Sequence, residues 1–133
     1  WWCDALRGVA RHARGDHARA AEAFDRALAA MPADQRCAWT DLALWLDLGP
    51  ERDAYRRLPC GPVRDAWERR FWLVAQPLWM LPANDLRHEL LARRVMATVH
   101  SRSANPYSMT WGDDLTEIEV RYGWPTAWSA RPG

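Results

Sequence analysis

The chain has 133 residues and a mass of 15.4 kDa, with 49% hydrophobic residues: enough for one compact domain or a repeat pair with a small module, too little for two large domains. Its 18 basic and 17 acidic residues leave a net charge of +1, so no global field draws in nucleic acid or an anionic membrane. Every basic residue is arginine, which excludes a Schiff-base lysine, a phosphate-loop lysine and lysine acid–base chemistry. From Cys3 to Pro32 the sequence predicts two helices broken at Gly15-Asp16, where the glycine permits a left-handed exit and Asp16 can cap the next helix. The second sets Ala20, Phe24, Ala27 and Met31 on one face, leaving Arg14, Arg19, Glu22, Asp25 and Arg26 to solvent.

A third helix is expected over roughly Gln35 to Leu48, with Ala38, Leu42, Trp45 and Leu46 inward, and Pro50 opens a fourth. Pro59-Cys60-Gly61-Pro62 is a break. Pro62 to about Ala75 then reads as a helix with Val63, Ala66, Trp67, Phe71 and Val74 on its inner stripe. Gln76 to Ala83 is expected to pack down as a buried connector. A long helix follows from Asn84, a suitable N-cap, to about Arg102, with Leu91, Val95, Thr98 and Val99 inward. Ser103 to Asp114 reads as loop. From Leu115 to Tyr122 the period becomes two, with Ile118, Val120 and Tyr122 on one side and Glu117, Glu119 and Arg121 on the other, which predicts a strand. Its ladder partner would be an extended piece within Ser108 to Trp111 or Trp124 to Trp128, or lie outside the chain.

Gly8, Gly15, Ala20, Phe24, Ala27 and Pro32 fall at spacings that resemble the tetratricopeptide repeat, a 34-residue helix-turn-helix unit. A shift of 34 residues places Gly49, Ala54 and Leu58 on Gly15, Ala20 and Phe24, so a second, degraded copy is expected from about Asp34 to Leu58. The stretch from Phe71 to Pro125 resembles the GWxTD-motif domain of bacterial proteins, whose biochemical role is unassigned. The residues carrying this resemblance are Phe71-Trp72, Gln76-Pro77, Asn84-Asp85, Glu89, Arg93, Trp111-Gly112-Asp113-Asp114, Ile118 to Gly123, and Pro125. Trp111 and Asp114 take the W and D of the motif, and Arg121-Tyr122-Gly123 its trailing R-Y-G. Thr110, Asp113, Leu115 and Thr116 depart from it.

Reactive groups are scattered. His88-Glu89 lacks the second histidine of a zinc-protease helix, since Ala92 stands there, and Glu89 with Arg93 reads as an i,i+4 ion pair. His12 and His17 have the separation of a finger's histidines but no CxxC upstream, so they read as surface histidines. Asp113, Asp114, Glu117 and Glu119 read as a solvated acidic turn and face. Cys3, Cys37 and Cys60, odd in number and widely spaced, form neither a disulfide framework nor a CxxC pair and read as buried thiols. Neither GxSxG nor a glycine-rich phosphate loop is present, and the arginine pairs Arg56-Arg57, Arg69-Arg70 and Arg93-Arg94 sit among acidic neighbours. Of the ten tryptophans, Trp45 and Trp67 fall on expected inner faces, while Trp1, Trp2, Trp124 and Trp128 near the ends suit either a core or a covered surface.

The expected fold is therefore mainly α with an α+β C-terminus: tetratricopeptide-like helical hairpins over residues 1–58, then over residues 59–133 a GWxTD-like module of two further helices and a short β segment. The expected function is a non-enzymatic protein interaction or assembly module, with no catalytic, cofactor or metal residues. The alternative is an accessory ligand-binding or enzymatic domain. The candidate structural or binding cluster is Asn84, Glu89, Arg93, Trp111, Asp114, Arg121 and Tyr122: Glu89, Arg93, Asp114 and Arg121 are expected to tie the long helix to the strand entry as one polar cluster, and the ligand alternative centres on Asp114, Arg121 and Tyr122 with Glu89. The expected partner is a protein or a flanking domain of the same chain, not nucleic acid. No apolar run reaches the roughly 18 residues of a membrane span. The Trp1-Trp2 start, without an initiator methionine, reads as an excerpt, so the compartment stays open.

Overall fold

The computed structural model describes residues 1–76, 83–103 and 111–124. Among these residues the chain is helical, with α1 at Trp2–His12, α2 at His17–Ala29, α3 at Ala33–Thr40, α4 at Pro50–Arg56, α5 at Pro62–Ala75, α6 at Asp85–His100 and α7 at Asp113–Tyr122. Most of the connector expected at Gln76 to Ala83, and most of the loop expected at Ser103 to Asp114, lie outside the described residues. So do both proposed strand partners, apart from Trp111 and Trp124.

The first two helices form where the sequence places them. Gly15 takes φ 72°, a left-handed turn that favours glycine, and Asp16 Oδ1 accepts a hydrogen bond from Arg19 N at 3.4 Å, closing the N-terminus of α2. Ala5, Ala20, Phe24, Ala27, Leu28 and Met31 join Leu91, Ala92 and Val95 of α6 in one core. Trp1, Trp2 and Trp39 pack edge to face beside it, with centroids 5.4 to 6.3 Å apart. A second core holds Leu42, Leu46, Tyr55, Trp72, Leu90, Ala97 and Val120. Thus α6 lines both cores, and the packing crosses the boundary expected near residue 59. Asn84 fixes the start of α6: its Oδ1 accepts from Arg87 N at 3.0 Å and its Nδ2 donates to Trp72 O at 2.6 Å.

Four expectations are corrected. The third helix stops at Thr40, short of Leu48, because Asp41 turns the chain. Asp41 Oδ1 accepts from Ala43 N at 2.6 Å, and Asp41 O accepts from Arg94 Nη2 at 2.8 Å. Leu42 and Leu46 are buried all the same, from a turn instead of a helix face.

The α5 boundaries hold, but its inward stripe is rotated. Val63 and Val74 are exposed, whereas Arg64, Glu68 and Trp72 are buried. A polar network draws that face inward. Tyr55 Oη donates to Glu68 Oε1 at 2.7 Å, Arg64 Nε donates to the same oxygen at 2.9 Å, and Leu42 N donates to Tyr55 Oη at 3.0 Å. Charge-assisted bonds of this kind keep buried ionic groups paired.

The segment Leu115 to Tyr122 is helix, not strand, and belongs to α7. Of the supposed inner residues Ile118, Val120 and Tyr122 only Val120 is buried, and it shares its face with buried Glu119 and half-buried Leu115 and Thr116, a helical spacing. Asp113 and Asp114 in the first turn and Arg121 in the last complement the helix dipole, and Arg121 Nε donates to Glu117 Oε1 at 2.7 Å. Gly123, at φ 86°, ends the helix.

Finally, Cys37 and Cys60 form a disulfide with Cα atoms 6.0 Å apart, tying α3 to the break before α5, and Cys3 is an exposed free thiol. An odd cysteine count conceals one bridge plus one spare.

Candidate functional site

The seven residues singled out in the sequence divide across α7. On its buried side, Arg93 Nε donates to Glu89 Oε1 at 2.6 Å, and Arg93 Nη1 donates to Val120 O at 3.2 Å and Arg121 O at 2.6 Å. The guanidinium also lies 5.0 Å from the centroid of the Trp45 ring. Arg93 is therefore a clamp on the carbonyl end of α7, where the helix leaves acceptors unsatisfied and carries partial negative charge. Asn84 caps α6. Trp111 Nε1 donates to Thr116 Oγ1 at 3.2 Å, and the Trp111 ring centroid stands 5.5 Å from that of His100.

Asp114, Arg121 and Tyr122 lie on the other side. With Leu48, Arg52, Glu117 and Ile118 they line a groove of about 540 Å³ between α7 and the start of α4. The expected single cluster of Glu89, Arg93, Asp114 and Arg121 is thus two arrangements: Arg121 pairs with Glu117, and Asp114 pairs with no arginine among the described residues. The groove mixes apolar and charged groups. Leu48 is 85% exposed, Tyr122 77% and Ile118 49%. Arg52 Nε, by contrast, is buried without a hydrogen-bond partner.

Two further ionisable groups depart from the solvated picture. Glu119, expected on an acidic outer face, is 1% exposed, and both its oxygens lie within 3.0 Å of His100 Nδ1. Burial raises its pKa against the opposing pull of His100. Glu89 is the reverse case. The His12 hydrogen bond holds its carboxyl down at about 2 against the effect of burial, and Arg93 adds to the lowering.

His12 and His17 are not surface histidines. Both are half-buried at the α1–α2 turn, and His88 of α6, 1% exposed, reaches the same spot. Each of the three offers a ligating atom within 4.8 Å of the others. His12 Nε2 lies 2.7 Å from Glu89 Oε2, and the His88 ring stacks on Phe24 with centroids 5.8 Å apart. Burial, with Arg87 nearby, lowers the His88 pKa to about 4, which keeps the ring neutral. The sequence carried two of these three residues as a spaced pair. The third is distant in the chain and sits in a motif that fails as a protease helix, so only the packing of α6 against α1 and α2 joins them.

Comparison with protein-family models, curated proteins and solved structures finds no match for the chain.

Proposed function

We propose that the chain is a non-enzymatic protein interaction or assembly module that receives an apolar segment of a polypeptide partner, or of a flanking domain of the same chain, in the groove beside α7. The observation that carries this reading is the exposure of Leu48, Ile118 and Tyr122 around one groove. Exposed apolar side chains rimmed by charges are the usual composition of a docking surface. Arg52 and Asp114, uncommitted to one another, supply one charge of each sign to fix the orientation of a segment.

The reading keeps both resemblances as proposals. The small residue Gly8 against Phe24 between α1 and α2 supports a tetratricopeptide-like pair. The capping of α6 by Asn84 and the Glu89–Arg93 clamp give the GWxTD-like residues of a bacterial protein a common purpose, holding α7 in place. The alternative of an accessory ligand-binding or enzymatic domain is favoured by one fact, that Asp114, Arg121 and Tyr122 share a groove.

The test is site-specific photo-crosslinking in the producing cell, with the probe at position 122 and, as a control, at exposed position 74. The polypeptide trapped from position 122 is then purified and titrated against the wild type, Ile118→Asp and Asp114→Ala. Saturable binding lost in Ile118→Asp and weakened in Asp114→Ala, with helical circular dichroism unchanged, supports the reading. Binding indifferent to both substitutions overturns it. A small molecule competing at the groove with no polypeptide trapped favours the alternative.

A further inference from the structure

Three imidazoles meeting in a partly buried place need a reason, because each buried ring nitrogen without a partner leaves a polar group desolvated. Nδ1 of His12, Nδ1 of His17 and Nδ1 of His88 are all buried and without hydrogen-bond partners. We infer that His12, His17 and His88 form a three-histidine site for a divalent transition metal of the zinc class, closing the α1–α2 turn onto α6 and leaving a fourth position for water or another ligand.

The chemistry of the donor set fits. Neutral imidazole is a preferred ligand for zinc and its neighbours, and three histidines with one open position is a known zinc arrangement. Ionised Glu89 can only accept a hydrogen bond, so His12 Nε2 must carry the proton in their 2.7 Å contact. The other ring nitrogen, Nδ1, lacks a partner and is the atom that can face a metal. A carboxylate on the far nitrogen of a ligating histidine is the usual outer-shell support of such a site. Arg93, bonded to the other oxygen of Glu89, holds that carboxylate in place. Phe24 restrains the His88 ring by stacking.

Distance is consistent as well. Zinc–nitrogen bonds of about 2.0–2.1 Å set tetrahedral ligand nitrogens roughly 3.3 Å apart. The three ligating atoms lie within 4.8 Å of one another, so metal binding would draw the His12 and His17 side chains at the turn toward His88. The nearby charge of Arg87 opposes a cation, but it is paired with Asp25 at 2.9 Å.

The experiment uses the full chain in a Cys3→Ser background, which removes the exposed thiol as a competing ligand, after chelator treatment. Zn²⁺ alone is titrated calorimetrically and Co²⁺ alone is followed by its visible absorption. The expected result is one metal ion per chain, a raised melting temperature on adding Zn²⁺, and a tetrahedral Co²⁺ spectrum that Zn²⁺ displaces. His17→Ala, and separately His12→Gln, each with helical circular dichroism checked, should weaken Zn²⁺ binding on the order of 100-fold, and Glu89→Gln by about 10-fold. Absence of saturable binding at one ion per chain overturns the site. So does Zn²⁺ affinity that survives in whichever of the two histidine variants keeps the wild-type helical content.

Discussion

The ring of Phe24 occupies the space that a side chain at Gly8 would need: a Cβ built on Gly8 would lie 2.5 Å from Phe24 Cε1. Two effects then compete in Gly8→Ala. Alanine in a helix is favoured over glycine by about 1 kcal/mol, whereas forcing a methyl group into a filled core costs about 1–3 kcal/mol. Because the clash is with an aromatic ring fixed on both sides, the packing cost should win and the variant should be less stable. Phe24→Ala should cost more, about 3–5 kcal/mol. Urea melts measure both, and a Gly8→Ala midpoint above that of the wild type would contradict the packing of α1 on α2.

The Cys37–Cys60 disulfide closes a separation of 23 residues. Restricting the unfolded chain over such a loop is worth about 3 kcal/mol. Cys37→Ser with Cys60→Ser, or dithiothreitol added to the wild type, should lower stability by roughly that amount, while Cys3→Ser should leave it within about 0.5 kcal/mol. Equal melting curves for oxidised and reduced protein would show that the α3–α5 join does not depend on the bridge.

Tyr55 holds a turn through its hydroxyl, accepting from Leu42 N and donating to Glu68. Burial raises the tyrosine pKa, and the adjacent Glu68 carboxylate contributes in the same direction, so the group remains a neutral donor. Tyr55→Phe keeps the ring but strands a buried amide and half of a carboxylate's partners, at a cost of about 1–3 kcal/mol. Amide exchange at Leu42 should accelerate in the same variant, which separates the loss of this bond from general destabilisation.

The parts legible in the sequence are those set by local rules: the Gly15-Asp16 break, the prolines at the starts of α4 and α5, the Asn84 cap and the Phe24 face. The parts missed are set by partners elsewhere in the chain. Arg64 and Glu68 turn the inner face of α5 toward Tyr55 and Leu42, against the apolar stripe that ends at Val74. In α7, alternation of Ile118, Val120 and Tyr122 imitates a strand because two of them are exposed apolar residues beside the groove, and Glu119 inside the core hides the helical spacing. For the candidate site, Asp114, Arg121 and Tyr122 were identifiable by resemblance, but the division between clamp and groove needed the direction of α7. The third histidine beside His12 and His17 had no signal in spacing at all.

Glu119 gives a pH dependence whose sign follows from its surroundings. Its carboxyl is buried against His100, and desolvation raises its pKa above the usual 4.5 although His100 pulls the other way. Between 4.5 and the raised folded value, the folded chain holds a proton that the unfolded chain has released. The contribution of Glu119 to stability therefore falls as pH rises through that window and recovers as pH drops toward 4.5. Glu119→Gln keeps an acceptor for His100 but does not titrate. Paired denaturant melts of wild type and Glu119→Gln from pH 7 down to 4.5 should thus show the difference moving steadily in favour of the wild type. A difference that is constant with pH would mean that His100 and burial cancel at Glu119, and one that moves the other way that His100 stabilises the carboxylate more than burial penalises it.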